Sequence, residues 1–349
     1  MKTSSKFYLD KNENCFLHHP SVEQAITKNS HDSINKYPPA HNLELYQALS
    51  QFHSLSEEYL YIDNGLENII RVLWLSLKHK FDLDNLVLPE ICWSAYHEIA
   101  KKTFFAKEKF IFYPTNKITF KNDLSQLDKA LTNVSKPSLI VINNPNNPTG
   151  QELDINHLDD IIKKYPQHLF FVDEAYIGFG NENLQNSHSL ELVNKYSNIL
   201  VGRSFSKFFL APGIRLGYLV AQPQTLQALG LTPTYLGINP TSHNLGLKLI
   251  KEFNYYQKQA QNIKKIRNSF IKQINQTSSL FAYPSSTNFI LVKVNHPTDL
   301  KQLQQYLEGN NFYIKYIPDI FGQQHLRITV APSKVLDQLL SLLKSFFTN

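Results

Sequence analysis

Cysteine is scarce in this sequence, with two residues in 349, Cys15 and Cys92. A disulfide framework and a cysteine-rich metal site are therefore excluded. Glycine is also sparse at 12, which leaves few places where the backbone can take dihedrals closed to other residues. No apolar run approaches the roughly 18 to 20 residues that cross a bilayer. Met1 to Asp10 carries lysines but no apolar segment or small-residue cleavage site, so neither a membrane span nor a secretory signal is expected. Charge of one sign is in small excess, 35 Lys and Arg against 29 Asp and Glu. That mild imbalance suits anionic small molecules or a weak, non-specific attraction to nucleic acid, and no nucleic-acid partner is expected. A P-loop, a dinucleotide fingerprint and a Ser-His-Asp signature are all missing. What is present is a 42% apolar composition with 23 Phe and 18 Tyr, enough for a large core and too much for disorder. The expectation is a soluble, cytoplasmic protein of more than one lobe, since single cores stop growing at about 250 to 300 residues.

The first 40 residues lack a clear period and read as an arm with extended stretches around one short helix. Helix-like segments are expected at 43–52, 66–80, 124–131 and 154–164, alternating with apolar strands at 86–88, 138–143, 169–172, 199–201 and 216–221. Apolar strands separated by amphipathic helices predict a mostly parallel sheet covered on both faces. A long amphipathic stretch at 255–275, strands at 288–294 and 326–330, and helices at 300–308 and 334–347 predict a smaller α+β lobe. The domain expectation is an arm over 1–40, a large lobe over 41–250 and a small lobe over 251–349.

Three stretches carry chemistry. Asn143-Asn144-Pro145-Asn146-Asn147-Pro148-Thr149-Gly150 stops an apolar strand abruptly and leaves amides at the carboxyl end of a parallel sheet, where ligands bind in open α/β folds. By itself it reads equally well as an ordinary Asn/Pro turn. Phe170-Phe171-Val172-Asp173-Glu174-Ala175-Tyr176 puts a carboxylate at the end of a buried strand, which is costly unless a cation or donor meets it. Asp173 needs a partner, though a helix cap or a metal ligand would fit the same residues. Gly202-Arg203-Ser204-Phe205-Ser206-Lys207, followed by Arg215, supplies hydroxyls and a guanidinium for a phosphate. A lysine in a partly desolvated site can attack a carbonyl to form a Schiff base, whereas most lysines are simply solvated.

In this order the stretches resemble the pyridoxal 5′-phosphate (PLP) dependent aminotransferases of fold type I, and most nearly the histidinol-phosphate aminotransferases. The resemblance runs from Leu9-Asp10-Lys11-Asn12-Glu13-Asn14 to Leu326-Arg327-Ile328-Thr329-Val330. It implies an α/β fold with a helix-sandwiched, mostly parallel sheet and a smaller α+β C-terminal domain. By the same resemblance Lys207 holds PLP as a Schiff base and then shuttles the substrate proton, and Asp173 partners the pyridine nitrogen. Asn147 and Tyr176 donate to the phenolic oxygen, while Ser204, Ser206 and Arg215 cradle the phosphate. Gly65, Leu66 and Glu67, opening a helix, add backbone amides. Trp93 is the expected ring stacked on the cofactor, with Tyr96 as the alternative. Tyr37 matches a tyrosine that reaches the neighbouring subunit's phosphate, which implies a homodimer with shared sites. Arg327 matches the arginine that grips the anionic end of the substrate.

Three positions depart from the pattern, and all bear on substrate. Asn14 is followed by Cys15-Phe16-Leu17 where proline and then glycine are usual. Lys315 stands where a second arginine is usual, keeping the charge without the planar fork. Gly178 takes the place of a common acidic residue. The implied partners are a small-molecule amino donor, an amino acid or an amino-alcohol phosphate, and a 2-oxo acid acceptor such as 2-oxoglutarate. A PLP decarboxylase resembling threonine-phosphate decarboxylase is the second reading, and a non-catalytic PLP-binding effector domain the third.

Overall fold

The structure, a computed structural model, describes residues 6–29, 37–81, 83, 85–103 and 109–348. Its strands are β1 (Phe7–Leu9), β2 (Leu60–Asp63), β3 (Asn85–Pro89), β4 (Phe110–Tyr113), β5 (Ser138–Asn143), β6 (Leu169–Asp173), β7 (Ile199–Ser204), β8 (Gly217–Val220), β9 (Leu280–Ala282), β10 (Phe289–Val294), β11 (Phe312–Ile320) and β12 (Gln323–Thr329). The helices are α1 (Pro20–Asn29), α2 (Leu43–His53), α3 (Leu66–Lys80), α4 (Ala95–Lys102), α5 (Leu124–Thr132), α6 (Leu158–Lys164), α7 (His188–Lys195), α8 (Pro223–Leu229), α9 (Pro240–Lys251), α10 (Phe253–Ile274), α11 (Leu300–Gly309) and α12 (Ser333–Thr348). None of the described helices is long and apolar enough to cross a membrane.

Seven strands form one sheet in the order β2-β8-β7-β6-β5-β3-β4, in which β8 alone is reversed. Its central strands are continuous apolar runs because both faces are covered. In β5, Leu139 and Val141 pack into one core while Ile140 and Ile142 pack into the other. On one face α3 buries Leu66, Ile69, Ile70, Leu73, Trp74 and Leu77 at helical spacing, and it ends on Lys78, His79 and Lys80, cations that suit a helix C-terminus. Strand pairing sets Asn143 beside Asp173 and Asp173 beside Gly202, so the ends of β5, β6 and β7 share one edge. Because β8 is reversed, its first residue, Gly217, lies on that same edge, paired with Ser204 and with Asp63 at the end of β2.

The second sheet has the order β1-β11-β12-β10-β9. Its first strand comes from the arm: β1 pairs in parallel with β11, and the rings of Phe7 and Phe312 and of Tyr8 and Tyr313 stack at 4.9 and 4.8 Å. The chain leaving β1 is thereby carried straight across the edge where the large sheet ends.

Two expected elements change length for identifiable reasons. The helix expected from Asp154 starts at Leu158, because Asp154 Oδ1 accepts the Asn156 N–H at 3.1 Å and bends the chain into a turn. The strand expected to end at Val201 continues to Ser204, because Arg203 is wholly buried and ion-paired to Glu174 at 2.6 Å. A charged residue in a strand therefore does not mark its end here.

Candidate active site

A cavity of about 580 Å³ opens at the shared edge of the large sheet, between it and the small sheet. The four asparagines of the first motif divide their work. Asn143 Oδ1 accepts the Asn147 N–H at 3.0 Å, Asn144 Oδ1 accepts the Leu153 N–H at 2.8 Å, and Asn146 Nδ2 donates to the Ile91 carbonyl at 2.8 Å. These bonds fix the loop. Asn147 is left facing the cavity, where its Nδ2 donates to the Tyr176 hydroxyl at 3.4 Å and its Oδ1 accepts from Arg327 Nη1 at 2.7 Å.

The adjacent carboxylates at the end of β6 point opposite ways, as successive strand residues must. Glu174 meets Arg203 in the core. Asp173 meets the cavity, with Tyr96 and the Ala175 N–H as donors and no ion-pair partner among the described residues. Burial pushes its carboxyl up to about 6. The expectation that Asp173 needs a partner is thus met on one side by the protein and left open on the cavity side.

Ser204 ends β7, and Ser206 and Lys207 follow it into the cavity. Lys207 Nζ donates to the Asn12 carbonyl at 2.8 Å and the Lys11 carbonyl at 3.2 Å. Burial, with Arg327 and Arg215 nearby, pushes its ammonium down to about 8, against Glu13. About a tenth of Lys207 is then free amine at pH 7, far more than for an ordinary lysine. In protein freed of cofactor, the rate of PLP capture should rise about tenfold per pH unit up to about pH 8 and level off above it. Stopped-flow absorbance reads this directly, and a rate still climbing beyond pH 10 would show an unperturbed lysine.

The phosphate end of the cavity is shaped by two glycines. Gly65 has φ +86, and a Cβ there would lie 2.9 Å from Arg215 Nη2. A Cβ on Gly217 would lie 2.5 Å from the Leu66 backbone nitrogen. Their bareness lets Arg215 lie against the start of α3 and lets β8 approach it. Leu66 and Glu67 open α3 onto the cavity, and their N–H groups have no partner within the helix. The Glu67 carboxylate is taken by Arg71 at 2.7 Å and lies 4.0 Å from Arg215.

The small sheet contributes Lys315 and Arg327, which are cross-strand partners and so share one face. Arg327 Nη2 donates to the Asp10 carbonyl at 2.6 Å. Trp93 lines the cavity, but Tyr96 does not. As the alternative stacking ring Tyr96 is corrected: it is fully buried, edge-on to Trp93 at 5.4 Å, and hydrogen-bonded to Asp173. Tyr37 is 84% exposed and lies outside its own chain's cavity. Gly65 sits beneath Arg215 without lining the cavity.

Asn12 was not singled out from the sequence. It is buried at 1% exposure, its Nδ2 donates to the Tyr176 hydroxyl at 2.9 Å, and its carbonyl receives Lys207. The signal that could have found it is its place in the Leu9 to Asn14 stretch, directly after the short β1 that fixes it.

These residues fit PLP. A helix start opened by Leu66 and Glu67 beside Arg215 suits a phosphate, a buried carboxylate with an open side suits a protonated ring nitrogen, and a lysine of depressed basicity suits covalent attachment. Such a site on such a sheet defines the fold type I class of PLP enzymes. The chain belongs to the aminotransferase class I and II family, whose sequence profile matches residues 4–343. It is a PLP-dependent aminotransferase. It is 26% identical over 347 residues to a histidinol-phosphate aminotransferase of Syntrophus aciditrophicus, covering 97% of this chain and 91% of the other. Among solved structures it resembles the histidinol-phosphate aminotransferase of Sinorhizobium meliloti in complex with pyridoxal-5′-phosphate, with TM-score 0.84, 21% identity and coverage of 98% and 91%. It also resembles the L-threonine-O-3-phosphate decarboxylase of Porphyromonas gingivalis, with TM-score 0.82, 19% identity and coverage of 98% and 100%.

Proposed function

We propose that the amino donor is a phosphorylated amino alcohol of the histidinol phosphate kind and that the acceptor is a 2-oxo acid such as 2-oxoglutarate. The observation that carries this is the Lys315 and Arg327 pair, two cations on one face of the small sheet at the cavity wall. Arg327 offers a planar fork to a carboxylate or a phosphate, and Lys315 adds the second charge that a dianion calls for. The names of the curated relatives support the same donor.

The remaining roles follow from placement. PLP, when bound, supplies the electron sink for the carbanion at the substrate α-carbon. Lys207 Nζ attaches the cofactor and, once freed, carries the α-proton. Asp173 holds a proton on the ring nitrogen, Asn147 and Tyr176 donate to the phenolic oxygen, and Trp93 covers the ring face. Ser204, Ser206, Arg215 and the amides of Leu66 and Glu67 hold the phosphate, whereas the Gly65 N–H, expected to join them, is taken by the Asp63 carbonyl at 2.7 Å. We assign the chain to a cytoplasmic homodimer in which Tyr37 of one subunit completes the phosphate cradle of the other. Its 84% exposure supports that reading.

The test is a donor screen read by cofactor absorbance. Histidinol phosphate should outperform histidinol, and Lys315→Ala should erase about 10- to 100-fold of that preference, as expected for a charge-assisted contact. Equal rates for the two donors would remove the phosphate from the substrate. Carbon dioxide release without amino transfer would favour the decarboxylase reading.

A further inference from the structure

Tyr96 sits behind the cavity wall. Its ring is held edge-on to Trp93 and tilted against Trp74 at 6.0 Å, and its hydroxyl donates to Asp173 Oδ2. The other carboxylate oxygen, Oδ1, accepts the Ala175 N–H at 3.0 Å. Tyr96 is the one side-chain donor to this carboxylate among the described residues. A carboxylate has about four lone-pair positions, so positions remain on the cavity side after both bonds are made.

We propose that Tyr96 is a positioning residue for Asp173, fixing the carboxylate and keeping it ionised for the ring nitrogen of PLP while its ring edge steadies Trp93 over the same cofactor. The proposal rests on the role assigned to Asp173 above.

The surroundings explain why a donor is needed. Burial raises the Asp173 carboxyl, Glu174 raises it further, and Tyr96 and the Ala175 N–H oppose both. Glu174 is ion-paired to Arg203 and has little charge to spare. Beside Tyr96 lie Cys92, pushed up to about 12 by burial, and Tyr113 on β4, raised by burial as well, so neither is ionised near neutral pH. Tyr176 on the cavity side is likewise raised. The Tyr96 hydroxyl is accordingly the side-chain group that favours the charged form of Asp173. A residue that served only packing would do as well as phenylalanine.

Tyr96→Phe keeps the ring and removes the hydroxyl. In cofactor-free protein, carbon-13 NMR of carboxyl-labelled aspartate should show the Asp173 signal, identified by its loss in Asp173→Asn, titrating about one pH unit higher or more. PLP affinity should fall about twofold at pH 7 and towards tenfold below about pH 5, with the deficit vanishing as pH rises above the new titration. A ring-fluorinated tyrosine at position 96, a stronger donor of nearly the same size, should move the titration the other way, and this arm stands even where Tyr96→Phe folds poorly. An unmoved Asp173 titration in these proteins overturns the proposal. A moved titration with PLP affinity unchanged at every pH overturns its cofactor half and points to a failure of the Asp173 assignment itself.

Discussion

Lys207→Ala is expected to lower the amino-transfer rate by about 10⁴-fold or more and to abolish covalently held PLP, because one side chain supplies both the attachment and the proton carrier. The fold should survive. Lys207 is half-buried, and of the two carbonyls it contacts, that of Asn12 also accepts from Asn288 Nδ2 at 3.2 Å. Asn12 is further tied by its own N–H to Thr329 Oγ1 at 3.0 Å, so the arm keeps its anchor. Lys207→Arg should be as inactive as alanine, since a guanidinium is protonated at every working pH and cannot attack a carbonyl. Absorbance of the loaded protein, single-turnover rates and a melting curve together check the prediction. Covalent PLP retained in Lys207→Ala would move the attachment to another residue.

Asp173→Asn should cut turnover about 10³-fold, the scale of losing one preorganised electrostatic contact in a buried site. Its effect on cofactor-free stability should run the opposite way and depend on pH. In the folded chain the Asp173 carboxyl keeps its proton up to about 6, against 3.8 ordinarily. Folding therefore binds a proton in that window, and the stability this group contributes is complete below 3.8 and lost as pH rises through 6. At neutral pH the burial of the charge costs on the order of 3 kcal/mol. Asparagine carries no such cost, although its single oxygen serves the Tyr96 and Ala175 donors less well than two. Urea titrations should accordingly show the variant gaining on the parent chain between about pH 4 and pH 7. A stability difference that does not change over that range would mean that Asp173 ionises normally.

Much of this was legible in the sequence. The central strands and α3 could be read because apolar runs buried on both faces and a one-sided helix have distinct periods. β2, β4, β9, β11, α4, α7, α8 and α9 were not foreseen. β11 mixes buried, half-buried and exposed residues without strict alternation and is broken by a register shift between Ile317 and Ile320, so its period is blurred. The cofactor residues were legible because they sit in contiguous motifs. Tyr96 and Asn12 were misjudged or missed because their roles come from contacts made across 77 and 164 positions of sequence, to Asp173 and Tyr176.

The pairing of β1 with β11 also sets a timetable. The arm residues at the cavity, Asp10 to Glu13, are fixed by a strand that lies more than 300 positions further along the chain. On a ribosome, Asp173 and Lys207 emerge well before β11 and β12 exist. At about 5–20 residues per second, Arg327 follows Lys207 by roughly 6–24 s. During that interval the large sheet can fold, but the burial and the Arg327 charge that lower the Lys207 ammonium are still incomplete, so the lysine stands in the open and stays mostly protonated. A nascent chain of this protein thus gains its reactive amine only when the last strands of the small sheet close over it.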